Sequence, residues 1–150
     1  MRLKIRSFFK NFSLSVITAI LLNPVNPSYA KWVFLSNDNV GNSYYYEDSK
    51  TVFDPKNELV STWQLISYTE ALSAPNGEAT QSVIQDVSYF CKVGYESYKQ
   101  FYIGYYSGPD GSGVSIDQAD TSGSNCERVI PDTMSYKFFK FFCKPPNIPS

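Results

Sequence analysis

Histidine is missing from all 150 residues. That absence removes the Ser-His-Asp and Cys-His nucleophilic sites as normally built, and most zinc sites with them. Cysteine is sparse, at three residues, and charged residues make up only 18% of the chain. No second long apolar run follows Ala30, so no transmembrane helix is expected after that point. A P-loop and a dinucleotide fingerprint are also lacking.

What the chain does have begins with a leader. Arg2, Lys4, Arg6 and Lys10 form a basic start, and Phe12 to Leu22 is uncharged and apolar. Asn23-Pro24 and Pro27 break that run, and Ser28-Tyr29-Ala30 sets small residues before a cut between Ala30 and Lys31. This is the pattern of a secretory signal peptide over residues 1–30. Ser28-x-x-Lys31 matches a serine acyltransferase motif only by chance, because it straddles the cut. The chain is expected to be exported, to the periplasm or to the cell surface. No cysteine lies near the cleavage site, so a lipid anchor on an N-terminal cysteine is not expected.

Four of the thirteen basic residues lie in the first thirty and none of the fourteen acidic ones do. That leaves nine against fourteen, a net of −5. An acidic domain lacks the electrostatic footprint of a nucleic-acid binder. No basic cluster of the kind that recruits anionic lipid is expected either.

The stretch Val83 to Ser115 organises the rest. Val83, Val87, Tyr89, Cys91 and Val93 alternate with Asp86, Ser88 and Lys92. Phe101, Ile103 and Tyr105 then alternate with Gln100, Tyr102 and Gly104. A period of two marks half-buried strands. The short link near Glu96-Ser97 predicts an antiparallel hairpin. Further strands are expected at Lys31–Leu35, Tyr44–Tyr46, Thr51–Phe53 and Leu59–Thr69. Ala71–Gln81, with its Pro75-Asn76-Gly77, and Pro109–Asn125 are expected as surface loops. Met134, Phe138, Phe141 and Phe142 recur at helical spacing after a cap at Asp132 or Thr133, and Pro145-Pro146 ends the helix. Residues 145–150 are expected to form a flexible tail.

In an oxidising compartment two of Cys91, Cys126 and Cys143 are expected to pair. Three pairings are open. Cys91–Cys143 is favoured because it ties a central strand to the end of the chain. A loop of that length contributes roughly 4 kcal/mol in the chain-entropy picture.

Candidate chemistry is thin. Asp110, Asp117 and Asp120 lack the alternating oxygen ligands of a calcium loop, since Val114 falls where a ligand is needed. No metal and no cofactor is expected. Scattered carboxylates leave a glycoside-hydrolase reading open but mark out no pair. Aromatics make up 17% of the chain, twelve of them tyrosine. By alternation Tyr102 and Tyr106 stand opposite Phe101, Ile103 and Tyr105. With Asp110 and Asp117 they form the candidate binding surface for a protein partner.

The landmarks Lys31-Trp32, Tyr44-Tyr45-Tyr46-Glu47, Val60-x-x-Trp63, Ser88-x-x-Cys91, Tyr106-Ser107-Gly108 and a helix ending in Cys143 come in a characteristic order. From Trp32 to Cys143 the chain resembles the surface-adhesin protein E family of Gram-negative bacteria. The resemblance implies an α+β domain over residues 31–144, with an antiparallel sheet of about six strands and the C-terminal helix packed on it. It also implies a Cys91–Cys143 disulfide and a non-catalytic adhesin that engages host matrix and serum proteins and can form a homodimer. The chain departs from the family pattern at Cys126, where a tryptophan is usual, so Cys126 is expected as a free or intermolecular thiol. It departs again in lacking a lipidation cysteine. The alternative is a soluble periplasmic module that binds or assembles an envelope component.

Overall fold

The computed structural model describes residues 30–144. Residues 1–29 of the expected signal peptide and the expected tail at 145–150 lie outside the described residues. Eight antiparallel strands, one α-helix and two single 3-10 turns make up the described residues. The strands are β1 (Trp32–Asn37), β2 (Ser43–Glu47), β3 (Val52–Asp54), β4 (Leu59–Ser73), β5 (Ala79–Phe90), β6 (Ser97–Tyr106), β7 (Ser115–Asp120) and β8 (Glu127–Arg128); the helix is α1 (Met134–Phe142).

The sheet runs β1-β2-β4-β5-β6-β7, six strands wide. The expected count of about six is corrected to eight, because both flanks of the central pair carry a strand in two pieces. β2 pairs with residues 64–67 of β4 and β3 with residues 59–61. On the other side β7 pairs with residues 102–106 of β6 and β8 with Ser97 and Tyr98. A turn at Asp48–Lys50 separates the first two pieces. The α+β class and the C-terminal helix packed on the sheet stand as expected.

Two segments expected as loops contain strand. Ala71–Gln81 is the tip of the β4–β5 hairpin, with strand on both sides of Ala74–Glu78. Ala74 N–H donates to the Glu78 carbonyl at 2.8 Å, and Gly77 takes a φ of +85° that suits its lack of a side chain. Pro109–Asn125 contains β7. Its polar sequence, SIDQAD, hides the strand because its pairing to β6 is made chiefly by the backbone.

Alternation sorts the side chains onto two faces. Tyr44, Val60, Val87 and Tyr89 face α1, and the helix seals them with Phe138, which is 1% exposed. Tyr44 meets Phe138 edge-on at 6.2 Å, and Tyr46 meets Phe142 at 5.4 Å and 89°. Edge-to-face packing suits the ring quadrupoles. Gln64 Nε2 donates to the buried Tyr89 hydroxyl at 2.8 Å, and Gln85 Nε2 donates to Gln64 Oε1 at 2.9 Å. Of the two candidate caps, Thr133 caps α1: its Oγ1 accepts from Tyr136 N–H at 3.3 Å. Cys143 at the helix end is bonded to Cys91, just past β5, at a sequence separation of 52.

One irregularity changes the expected pattern in β6. Asp86 pairs with Tyr102 and Val87 with Gln100, so Phe101 is an extra residue without a partner. Past this bulge Gln100 and Tyr98 stand opposite Val87 and Tyr89, on the helix side. The simple alternation that sets Gln100 with Tyr102 is therefore corrected.

Candidate functional site: the sheet face away from the helix

Strand register lines up Trp63 of β4, Asp86 of β5, Tyr102 of β6 and Asp120 of β7 as successive cross-strand neighbours. Cross-strand partners share a face, and this row lies opposite α1. Trp63 and Tyr102 are two strands apart, a backbone separation of roughly 9–10 Å. Their ring centroids are nevertheless only 5.6 Å apart at 43°, so the two rings lean toward each other across β5. Asp86 sits on the strand between theirs, half-buried; burial pushes its carboxyl above the usual carboxylate range and the charge of Lys50 pulls it back.

Lys50 reaches this row from the turn after β2. Its Nζ lies 5.1 Å from the Trp63 ring centroid and 3.9 Å from Glu47 Oε2. A cation over an indole face is favourable by about 0.5–1 kcal/mol where water reaches it.

Tyr102 lies flat because Gly104 lets it. A Cβ on Gly104 would sit 2.6 Å from the Tyr102 hydroxyl and 3.2 Å from its ring. The hydroxyl donates to Gln118 Oε1 at 3.2 Å. Burial and the adjoining Tyr102 hydroxyl push the Tyr106 phenol above its ordinary range.

The glycine-rich turn after β6 folds back onto this same face. Ser82, fully buried, donates from Oγ to the Gly108 carbonyl at 2.6 Å and accepts from Gly111 N–H at 2.9 Å. Asp110 N–H donates to Ser67 Oγ at 3.2 Å. Gly111 has a φ of +75° and rests on Ile84 and Leu65; a Cβ there would lie 2.8 Å from Ile84 Cδ1. The turn therefore covers the apolar end of the face and leaves the Trp63–Tyr102 end open among the described residues.

The sequence of residues 32–144 matches the profile described as surface-adhesin protein E. This chain belongs to the surface-adhesin protein E family. No curated protein matches it. Among solved structures it is similar to the selenomethionine form of protein E from Haemophilus influenzae, with 18% identity, a TM-score of 0.53, and coverage of 73% of this chain and 84% of that one. Crystal form II of the same protein gives 18% identity and a TM-score of 0.52 over 75% and 86% of the two chains. At that identity the likeness speaks for the adhesin E fold alone.

Within this adhesin E fold the four expected surface residues part company. Tyr102 and Tyr106 share the face away from α1. Asp110 sits, exposed, on the turn folded over that face. Asp117 pairs with Tyr105 and so stands on the opposite, helix-side face, where its charge helps burial push the Tyr105 phenol up. Ala30 and Lys31 precede β1. Cys126 is an exposed free thiol ahead of β8, beside a 270 Å³ hollow that also touches Phe90, Lys92 and Tyr95. Sequence reasoning missed Trp63, Asp86 and Lys50. Alternation in Leu59–Thr69 puts Trp63 on one face with Leu65, but only the register joins it to Tyr102. No described helix is long and apolar enough to cross a membrane.

Proposed function

We propose that this adhesin E-family protein is exported and works without catalysis, by contact with host matrix or serum proteins through the face that carries Trp63, Tyr102 and Tyr106. The observation that supports this reading is the half-buried Trp63–Tyr102 pair, whose rings meet across the strand that carries Asp86. Tryptophan and tyrosine dominate binding energy when a partner removes their remaining water, and the Tyr102 ring is already held over Gly104 and by Gln118, so it loses little side-chain freedom on contact. The buried Ser82 supports the same face by holding the adjoining turn.

Two arms test it. Protease treatment of intact cells degrades the protein if it is displayed, whereas protection assigns it to the periplasm and to envelope components. The exported form is then passed over immobilised matrix and serum proteins, with Trp63→Ala and Tyr102→Ala as comparisons. Capture that both variants lose supports the reading; capture that neither variant changes rejects this face.

A further inference from the structure

The lysines at 137, 140 and 144 are scattered in sequence, but α1 brings them to one side. The helix contains no acidic residue, and its exposed positions are Lys137, Lys140 and Phe141. Lys144 follows one turn after Lys140. With Leu35 and Ser36 of β1, these four residues line a hollow of about 330 Å³ whose floor is apolar and whose rim is cationic. Phe141 keeps 46% of its surface exposed. Among the described residues the one ion pair is Lys50–Glu47, so none of these ammonium groups is paired with a described carboxylate. Lys137 donates to the Asn37 carbonyl at 3.0 Å and shares a neighbouring hollow with Asp38 and Asp132. The positive character is therefore strongest at Lys140 and Lys144. Four of the nine basic residues after Ala30 fall between Arg128 and Lys144, in a domain of net −5.

We propose that this outer face of α1 docks on an anionic lipid surface, with Lys140 and Lys144 meeting headgroup phosphates and Phe141 entering the acyl boundary. Charge complementarity selects the occupant: phosphate answers the lysine rim, and hydrocarbon answers Phe141 and Leu35. Because α1 covers one side of the sheet, docking there leaves the Trp63–Tyr102 face directed away from the lipid.

The test is co-sedimentation of the protein with phosphatidylcholine vesicles and with vesicles of phosphatidylcholine mixed with phosphatidylglycerol. Binding is expected only to the mixed vesicles, and it should weaken as salt rises. Each lysine is worth roughly a fivefold change in partitioning, so Lys140→Gln/Lys144→Gln is expected to bind about 25-fold less. Lys140→Arg/Lys144→Arg should retain binding and Phe141→Ser should reduce it. All these side chains are exposed, and thermal melting verifies that the variants fold. Equal binding to both vesicle types, no binding to the mixed vesicles at low salt, or an unchanged double glutamine variant overturns the proposal. So does displacement by inorganic phosphate well beyond that by chloride of equal ionic strength, which would indicate a site for a free anion.

Discussion

The ring of Tyr102 lies across Gly104, its near neighbour on the same strand and face, closely enough that a methyl group on Gly104 would meet the ring at 3.2 Å. This contact fixes the angle at which Tyr102 leans toward Trp63. Gly104→Val is therefore expected to push the ring off the sheet. A valine has good strand propensity, so the stability cost should stay within about 1–2 kcal/mol. Binding should fall as far as it does in Tyr102→Ala. A double-mutant cycle with Tyr102→Ala should show coupling of at least 0.5 kcal/mol or so; simple additivity would show the contact to be incidental.

Ser82 is the anchor of the glycine-rich turn. Replacing it with alanine leaves the Gly111 N–H and the Gly108 carbonyl without that partner. The expected loss is about 1–3 kcal/mol. Hydrogen exchange should show amides of residues 108–113 losing protection before the strands do.

The Cys91–Cys143 bridge joins the helix end to the end of β5. With the two cysteines at a sequence separation of 52, Cys143→Ser is expected to cost roughly 4 kcal/mol in the chain-entropy account. Chemical denaturation with and without reductant measures it. Cys126→Ser, by contrast, should leave the midpoint unchanged, because that thiol is exposed and unbonded.

Tyr98 predicts a loss of stability in alkali. Burial, then the hydrogen bond to Glu127 and that group's charge, raise its phenol from 10 to about 12. The folded chain holds this proton to higher pH than the unfolded chain does. The contribution is whole below pH 10 and is lost as the pH rises through about 12. Tyr44 and Tyr89 are raised in the same direction, each first by burial. Melting temperature should therefore fall across that window. Glu127→Gln should reduce the slope, as followed by tyrosinate absorbance alongside the melt.

The helix was legible because Met134, Phe138 and Phe142 repeat at its period and Thr133 offers a capping hydroxyl. The central hairpin was legible because apolar and polar residues alternate on both sides of Glu96-Ser97. β7 was not, since an edge strand held by backbone pairing leaves no apolar imprint on SIDQAD. The Phe101 bulge was hidden for a related reason: an inserted residue shifts facing without changing composition. The candidate site was legible only in part. Alternation places Tyr102 and Tyr106 together, but Asp117 lies on the other face, because which residues pair across β6 and β7 depends on a register that the turn geometry sets. Trp63 and Asp86 join Tyr102 through two such registers, and neither can be read from any one strand.

The most direct measurement is the equilibrium affinity of the exported protein for a captured matrix or serum protein, compared with that of Trp63→Ala/Tyr102→Ala, with folding verified by melting. A central aromatic contact is worth about 2 kcal/mol or more, so the double variant is predicted to bind at least about thirtyfold more weakly with its fold retained. An affinity equal to that of the unmodified protein would contradict the assignment of this sheet face.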